Sequence, residues 1–177
     1  MRTLILGGAR SGKSRLAEQL AHDSGLEVTY IATAQAQFNG TVDDEMAQRI
    51  AEHRARRPAH WHSIEEPLAL AAVLRQHAAA DRCLLVDCLT LWLTNLLLHP
   101  DADVFARERA ALLAVLSELP GEILLVGNET GMGVVPMGEL TRRFCDESGW
   151  LHQELAAQCD NVLLTVAGLP MTLKGKR

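Results

Sequence analysis

A largely parallel β-sheet covered by helices on both faces, an α/β class, is what this sequence predicts, on three observations. Short apolar runs alternate with stretches of helical periodicity, from Thr3-Leu4-Ile5-Leu6 to residues 161–166. The runs Cys83-Leu84-Leu85-Val86 and Ile123-Leu124-Leu125-Val126 show no apolar–polar alternation, as expected of central strands with both faces covered. The first run opens into a glycine-rich loop and then a helix: Gly7, Gly8, Ala9, Arg10, Ser11, Gly12, Lys13 and Ser14 fit the pattern G-x-x-x-x-G-K-[ST] in the context it requires.

That loop makes the predicted class P-loop NTPase-like. Its glycines let backbone N–H groups turn onto an anion, and the following helix start adds a positive dipole end. Lys13 is then placed to reach the outer phosphates of a nucleotide, and Ser14 a magnesium ion. Leu16, Ala17, Leu20 and Ala21 carry the helical spacing behind it, and Asp23-Ser24-Gly25 reads as the stop. A strand follows at residues 28–32, rich in β-branched residues. The polar stretch 33–41 contains the turn signal Asn39-Gly40, and Asp43-Asp44-Glu45 opens a charged helix that Pro58 cannot continue.

Residues 60–65 read as a strand with Trp61 inward, and 67–80 as an Ala/Leu-rich helix with Pro67 in its first turn. The strand 83–87 ends in an acid, Asp87. Helices are expected at 89–98 and 104–119, broken by His99-Pro100-Asp101. A strand at 122–126 runs into Gly127-Asn128-Glu129, a Gly/Pro-interrupted loop reaches Gly138, and a long helix at 139–159 precedes the last expected strand, 161–166. The helix 89–98 is apolar nearly all round, which points to burial of part of it between subunits.

The 177 residues are enough for one sizeable core, and no linker or repeat divides them, so one nucleotide-binding domain, 1–177, is expected. A net charge of −5 argues against a nucleic-acid partner. Cys83, Cys88, Cys145 and Cys159 have no zinc-type or C-x-x-C spacing and read as reduced thiols. With no signal-like N-terminal pattern and no apolar run near ~18 residues, the expectation is a cytoplasmic protein without a membrane span.

Ligands of such sheets bind beyond the carboxyl ends of the strands. Asp87 is there either as a carboxylate helping to hold Mg²⁺ beside Ser14 or as a cap for the next helix. His53 stands among Arg49, Arg54, Arg56 and Arg57. It reads either as part of a solvated helix face or as an imidazole kept neutral and nucleophilic by cations that also clamp phosphate. His60 and His62 could share a strand face but lack further ligands nearby, and read as ordinary strand residues. The tryptophans read as core or interface rather than as stacking platforms.

Taken together, residues 7–14, Tyr-Ile-Ala-Thr-Ala (30–34), Asp-Asp-Glu-Met (43–46), His-Arg-Ala-Arg-Arg-Pro (53–58), Trp61, Val-Asp-Cys-Leu-Thr (86–90), Asn95 and Asn-Glu-Thr-Gly-Met-Gly-Val-Val-Pro (128–136) resemble the bifunctional adenosylcobinamide kinase/adenosylcobinamide-phosphate guanylyltransferases of cobalamin biosynthesis. The resemblance spans essentially the whole chain; the polar stretch 35–42 is longer than the family's connection. It implies a trimeric P-loop enzyme that phosphorylates adenosylcobinamide with ATP or GTP and then attaches GMP to that phosphate through a guanylyl-histidine, which falls on His53. By the same matching the guanine nucleotide touches residues 7–14, Ala32, Thr33, Ala34, Arg54, Ala55, Arg56, Arg57, Glu65 and Asp87.

Overall fold

In the main sheet six strands run parallel because each returns through a helix or a long crossover, and only the last pairs antiparallel. The computed structural model describes residues 1–34, 37–38, 41–42, 48, 51 and 58–175. Its elements are β1 (Arg2–Gly7), α1 (Lys13–Asp23), β2 (Glu27–Ala32), β3 (Gln37–Phe38), β4 (Thr41–Val42), β5 (His62–Glu65), α2 (Leu70–His77), β6 (Arg82–Asp87), α3 (Leu89–Leu97), α4 (Asp103–Leu116), β7 (Glu122–Asn128), α5 (Glu139–Gln158), β8 (Asn161–Val166) and β9 (Leu169–Lys174). The main sheet has the order β5-β2-β6-β7-β1-β8-β9, and β3 and β4 form a separate two-stranded ribbon. The expected charged helix from Asp43, and the Asn39-Gly40 turn, fall on residues outside those described.

Strand alternation feeds two cores. Leu4 and Leu6, Leu84 and Val86, and Ile123 and Leu125 point to the face covered by α2, α3, α4 and α5, where Leu74, Trp92, Leu93, Leu112 and Leu155 meet them. Ile5, Cys83, Leu85, Leu124 and Val126 point to the face covered by α1, with Ala17, Ala21 and Trp61. The expectation of a largely parallel sheet with helices on both faces holds, as does the inward position of Trp61. Trp92 is fully buried and donates its Nε1–H to the Leu68 carbonyl at 2.8 Å. Trp150, by contrast, is 54% exposed. Among the described residues no helix is long and apolar enough to cross a membrane.

Two expected elements are corrected. The second Ala/Leu helix spans Leu70–His77, not 67–80. Glu66 Oε1 accepts the N–H groups of Leu68 and Ala69 at 2.8 Å, and the carbonyls of Pro67 and Leu68 accept Asn95 and Trp92, so those residues form a turn that locks onto α3 before any helix starts. Nor does the sheet end at residue 166. Ala167 (φ 52°) and Gly168 (φ 80°) are both left-handed and turn the chain back as β9. Leu169, Met171 and Leu173 alternate there with Pro170, Thr172 and Lys174, and an edge strand tolerates the proline. The all-round apolar character of α3 is largely used within the chain: Leu89, Trp92, Leu93 and Leu96 are each at most 1% exposed.

All four cysteines are free. Burial pushes the thiol of Cys83 up to about 12 and those of Cys88 and Cys159 up to about 11. A raised value keeps the proton on sulfur, so at pH 8 these thiols are neutral and poor nucleophiles. Titration of the native protein with a disulfide reagent at that pH should modify Cys145 first and the other three only on unfolding. Leu84→Ala, a truncation at a fully buried site of the central strand β6, should cost about 2–5 kcal/mol in urea denaturation.

Candidate active site

The loop after β1 is held open by two left-handed residues, Arg10 (φ 54°) and Gly12 (φ 95°), and closes onto α1, where Leu16 N–H donates to the Gly12 carbonyl at 2.9 Å. Gly7 admits no side chain, since a Cβ there would stand 2.6 Å from the Thr165 carbonyl and run into Ser11 Oγ. Lys13 is only 9% exposed, and its Nζ donates to the Gly8 carbonyl at 3.0 Å. Burial pushes the Lys13 ammonium below its ordinary value, and Cys88 and Asp87 push it back up. A cation in that position lacks water and lies within the field of Asp87, so an anion entering the loop would supply charge that solvent does not. Ser11 Oγ, buried beside it, has no hydrogen-bond partner among the described residues, which is the kind of orphaned group a phosphate oxygen satisfies.

The parallel register brings distant residues into one line. Glu65 is paired with Ala32, and Ala32 with Asp87, so a single row crosses β5, β2 and β6 at their carboxyl ends. β7 separates β6 from β1, and its own end is tied in: Asn128 pairs with Gly7, and Glu129 N–H donates to the Gly7 carbonyl at 3.0 Å. Asp87 is aimed by Tyr30, whose hydroxyl donates to Oδ2 at 2.6 Å. Thr33 is fully buried, with its Oγ1 both donating to the Cys88 carbonyl at 2.7 Å and accepting the Cys88 N–H at 2.9 Å. Its hydroxyl is thus spent on the turn after Asp87. Asn95 closes the network by donating to the carbonyls of Thr33 and Pro67. Ala34 follows on the same edge.

Of the sequence-predicted residues, the structure gathers 7–14, Ala32, Thr33, Ala34, Glu65 and Asp87 along one edge, while His53, Arg54, Ala55, Arg56 and Arg57 lie outside the described residues. Among the described residues there is no group of three or more His, Cys, Asp or Glu side chains that could hold a metal alone, and His62 lies 6.0 Å, ring to ring, from His77. Motif and spacing did not point to the roles of Tyr30 and of Thr33 toward Cys88. A signal existed for Tyr30: it pairs with Leu85, two residues before Asp87, hence on the same sheet face and diagonal to it.

The family described as "Cobinamide kinase / cobinamide phosphate guanyltransferase" matches residues 3–173. The chain belongs to that family. It is 69% identical over 176 residues to the bifunctional adenosylcobalamin biosynthesis protein CobP of Pseudomonas aeruginosa, covering 99% of both chains. It is 42% identical over 187 residues to the bifunctional adenosylcobalamin biosynthesis protein CobU of Salmonella typhimurium, covering 98% of this chain and 100% of that one. It is accordingly a bifunctional transferase, a cobinamide kinase and cobinamide phosphate guanylyltransferase. Among solved structures, a type III secretion ATPase is similar with a TM-score of 0.55 at 12% identity, covering 97% of this chain and 56% of that one. The RadB recombinase is similar with a TM-score of 0.50 at 18% identity, covering 92% and 73%. These two likenesses establish a shared P-loop fold and nothing more.

Tyr30→Phe removes a buried donor to a carboxylate, and should cost about 1.5–3 kcal/mol in urea denaturation.

Proposed function

We propose that one phosphate loop serves both activities and that His53 separates them. The observation that carries this reading is the buried Lys13, at the mouth of the loop and within the field of Asp87. In the kinase step the loop N–H groups and Lys13 hold the outer phosphates of ATP or GTP. The terminal hydroxyl of the aminopropanol arm of adenosylcobinamide attacks the γ-phosphorus. The bond from that phosphorus to the bridging oxygen breaks, the nucleoside diphosphate leaves, and the hydroxyl proton passes to solvent or a nearby carboxylate. Such a transfer needs positioning and charge neutralisation more than covalent chemistry.

Ser14 and Asp87 are the residues that would hold a magnesium ion, Asp87 offering the carboxylate oxygen that such a hard cation takes. When bound, it neutralises charge on the outer phosphates. Tyr30 holds Asp87 in place for that role.

In the second step the imidazole of His53 attacks the α-phosphorus of GTP and pyrophosphate leaves, giving a guanylyl-histidine. A phosphate oxygen of adenosylcobinamide phosphate then attacks the same phosphorus. The nitrogen–phosphorus bond breaks, His53 is freed, and adenosylcobinamide-GDP forms. Covalent relay splits one displacement into two easier ones. Arg54, Arg56 and Arg57 stabilise the phosphate charge, and Ala32, Thr33, Ala34, Ala55 and Glu65 line the guanine nucleotide. These assignments rest on the motif match at residues 30–34 and 53–58 and on the row that Glu65 shares with Ala32 and Asp87. The working enzyme is a cytoplasmic homotrimer.

GTP labelled at the α-phosphate should leave GMP on the protein through an acid-labile, base-stable bond. His53→Ala should abolish labelling and GMP transfer while retaining phosphorylation of adenosylcobinamide within about threefold, because the loop is untouched. A His53→Ala protein that still labels would overturn the nucleophile assignment. Lys13→Ala should weaken GTP binding by roughly 10- to 100-fold in calorimetry, the worth of one charge-assisted contact; unchanged affinity would remove the loop from the reading.

A further inference from the structure

The loop that closes the sheet on its far side reaches back into the phosphate loop. Among the described residues, one backbone hydrogen bond ties residues 8–12 to an element remote in sequence: Gly168 N–H donates to the Ser11 carbonyl at 2.8 Å. The restraint within the loop is weaker, since Ser11 N–H reaches the Gly8 carbonyl at 3.3 Å. Contact reinforces the bond. A Cβ on Gly12 would lie 3.1 Å from Gly168 Cα, so the two glycines meet backbone to backbone, with Thr165 Cγ2 at 3.8 Å from the same point. Gly168 itself faces the Arg15 guanidinium. Ser11 Oγ and Thr165 Oγ1, one from the loop and one from the end of β8, are both buried without hydrogen-bond partners among the described residues.

The direction of that bond has a consequence for anion binding. The Ser11–Gly12 peptide is trans, and in a trans peptide the C=O and N–H point in opposite directions. With the Ser11 carbonyl fixed on the hairpin turn, the Gly12 N–H is fixed pointing away from it. An anion-binding loop works by having its N–H groups oriented before the ligand arrives. A peptide free to flip would present its carbonyl oxygen to the phosphates instead.

We propose that the Ala167–Gly168 turn is a positioning element of the phosphate loop, with the Gly168 N–H locking the Ser11–Gly12 peptide so that Gly12 N–H is available to the nucleotide's phosphates. This rests on the reading that residues 7–14 hold those phosphates. The shape of the turn suits this role, because Gly168 at φ 80° places its N–H against Ser11 and no side chain intervenes. The hairpin β8–β9 thereby acts on the first βα turn across 157 positions of sequence, from residue 11 to residue 168.

The test removes the donor alone. Native chemical ligation at Cys159 joins residues 1–158 to a synthetic 159–177 segment in which Gly168 is replaced by glycolic acid, so that an ester oxygen stands where the N–H was. Binding of inorganic tripolyphosphate and of ATP, measured by calorimetry, should weaken together by roughly three- to tenfold, the worth of a neutral hydrogen bond. The kinase KM for ATP should rise by a similar factor with kcat within about twofold. If the ligated ester fails to refold, N-methylglycine at position 168 of the same synthetic segment, which also lacks the N–H and has no Cβ to oppose a positive φ, takes its place. Unchanged tripolyphosphate affinity in the donor-less protein, measured against the same ligation carried out with glycine at 168, overturns the proposal. Lys13→Ala run in parallel separates the two readings: if it too leaves tripolyphosphate binding intact, the phosphate-loop assignment has failed, whereas a Lys13 effect without a Gly168 effect overturns the turn's role alone.

Discussion

Hydrogen bonding on both edges of β1 is the constraint on which the rest depends. A strand buried on both faces must pair all of its backbone groups, and β1 does so with β7 on one side and β8 on the other, both parallel to it. Parallel pairing puts every carboxyl end on one edge, so the polar residues that follow the strands collect there without any further instruction. The phosphate loop, the Asp87 carboxylate and the ends of β7 and β5 lie along one edge for that reason. The same pairing leaves the loop after β1 flanked on both sides, by Glu129 reaching the Gly7 carbonyl and by Gly168 reaching Ser11.

The chemistry then turns on how little water reaches this edge. Lys13 is nearly covered, Thr33 and Thr165 are covered, and Ser11 Oγ has no hydrogen-bond partner among the described residues. Charges and dipoles placed in such a setting act at short range and at low dielectric, where an arriving phosphate gains more than it would at an open surface. On the opposite side of β7, His152 is 8% exposed and lies where a Cβ on Gly127 would stand 2.9 Å from its Nε2. Burial pushes its imidazole below the ordinary value, against the opposing charge of Glu129. The glycine at the end of β7 is thus a packing requirement of α5 rather than part of the phosphate site.

Most of the fold could be read from the sequence because its signals were local. Unbroken apolar strands such as Leu84-Leu85-Val86, the loop motif, and helix stops at Gly25 and Pro100 each declare themselves within a few residues. What could not be read depended on distant partners. The turn at Glu66-Pro67 exists because Asn95 and Trp92, 28 and 24 residues away, take its carbonyls. β9 has an alternation too short and too exposed to stand out until Ala167 and Gly168 are known to be left-handed. The candidate site divides in the same way. Its ligand-facing residues were named by motif, whereas the residues that hold them, Tyr30 on Asp87 and Thr33 on Cys88, act through side-chain contacts that span more than fifty positions.

The alternation of β6 has an implication for how this enzyme can change over time. Cys83 and Leu85 serve one core while Leu84 and Val86 serve the other, and the next residue, Asp87, pairs with Ala32 in the row that reaches Glu65. Inserting or deleting one residue in this strand would exchange the two cores and draw the carboxylate out of that row together. Folding and chemistry therefore share a reading frame in three dimensions. A surface loop can therefore change length without touching that frame, whereas a central strand cannot, and a slip there unmakes the core and the site in one stroke.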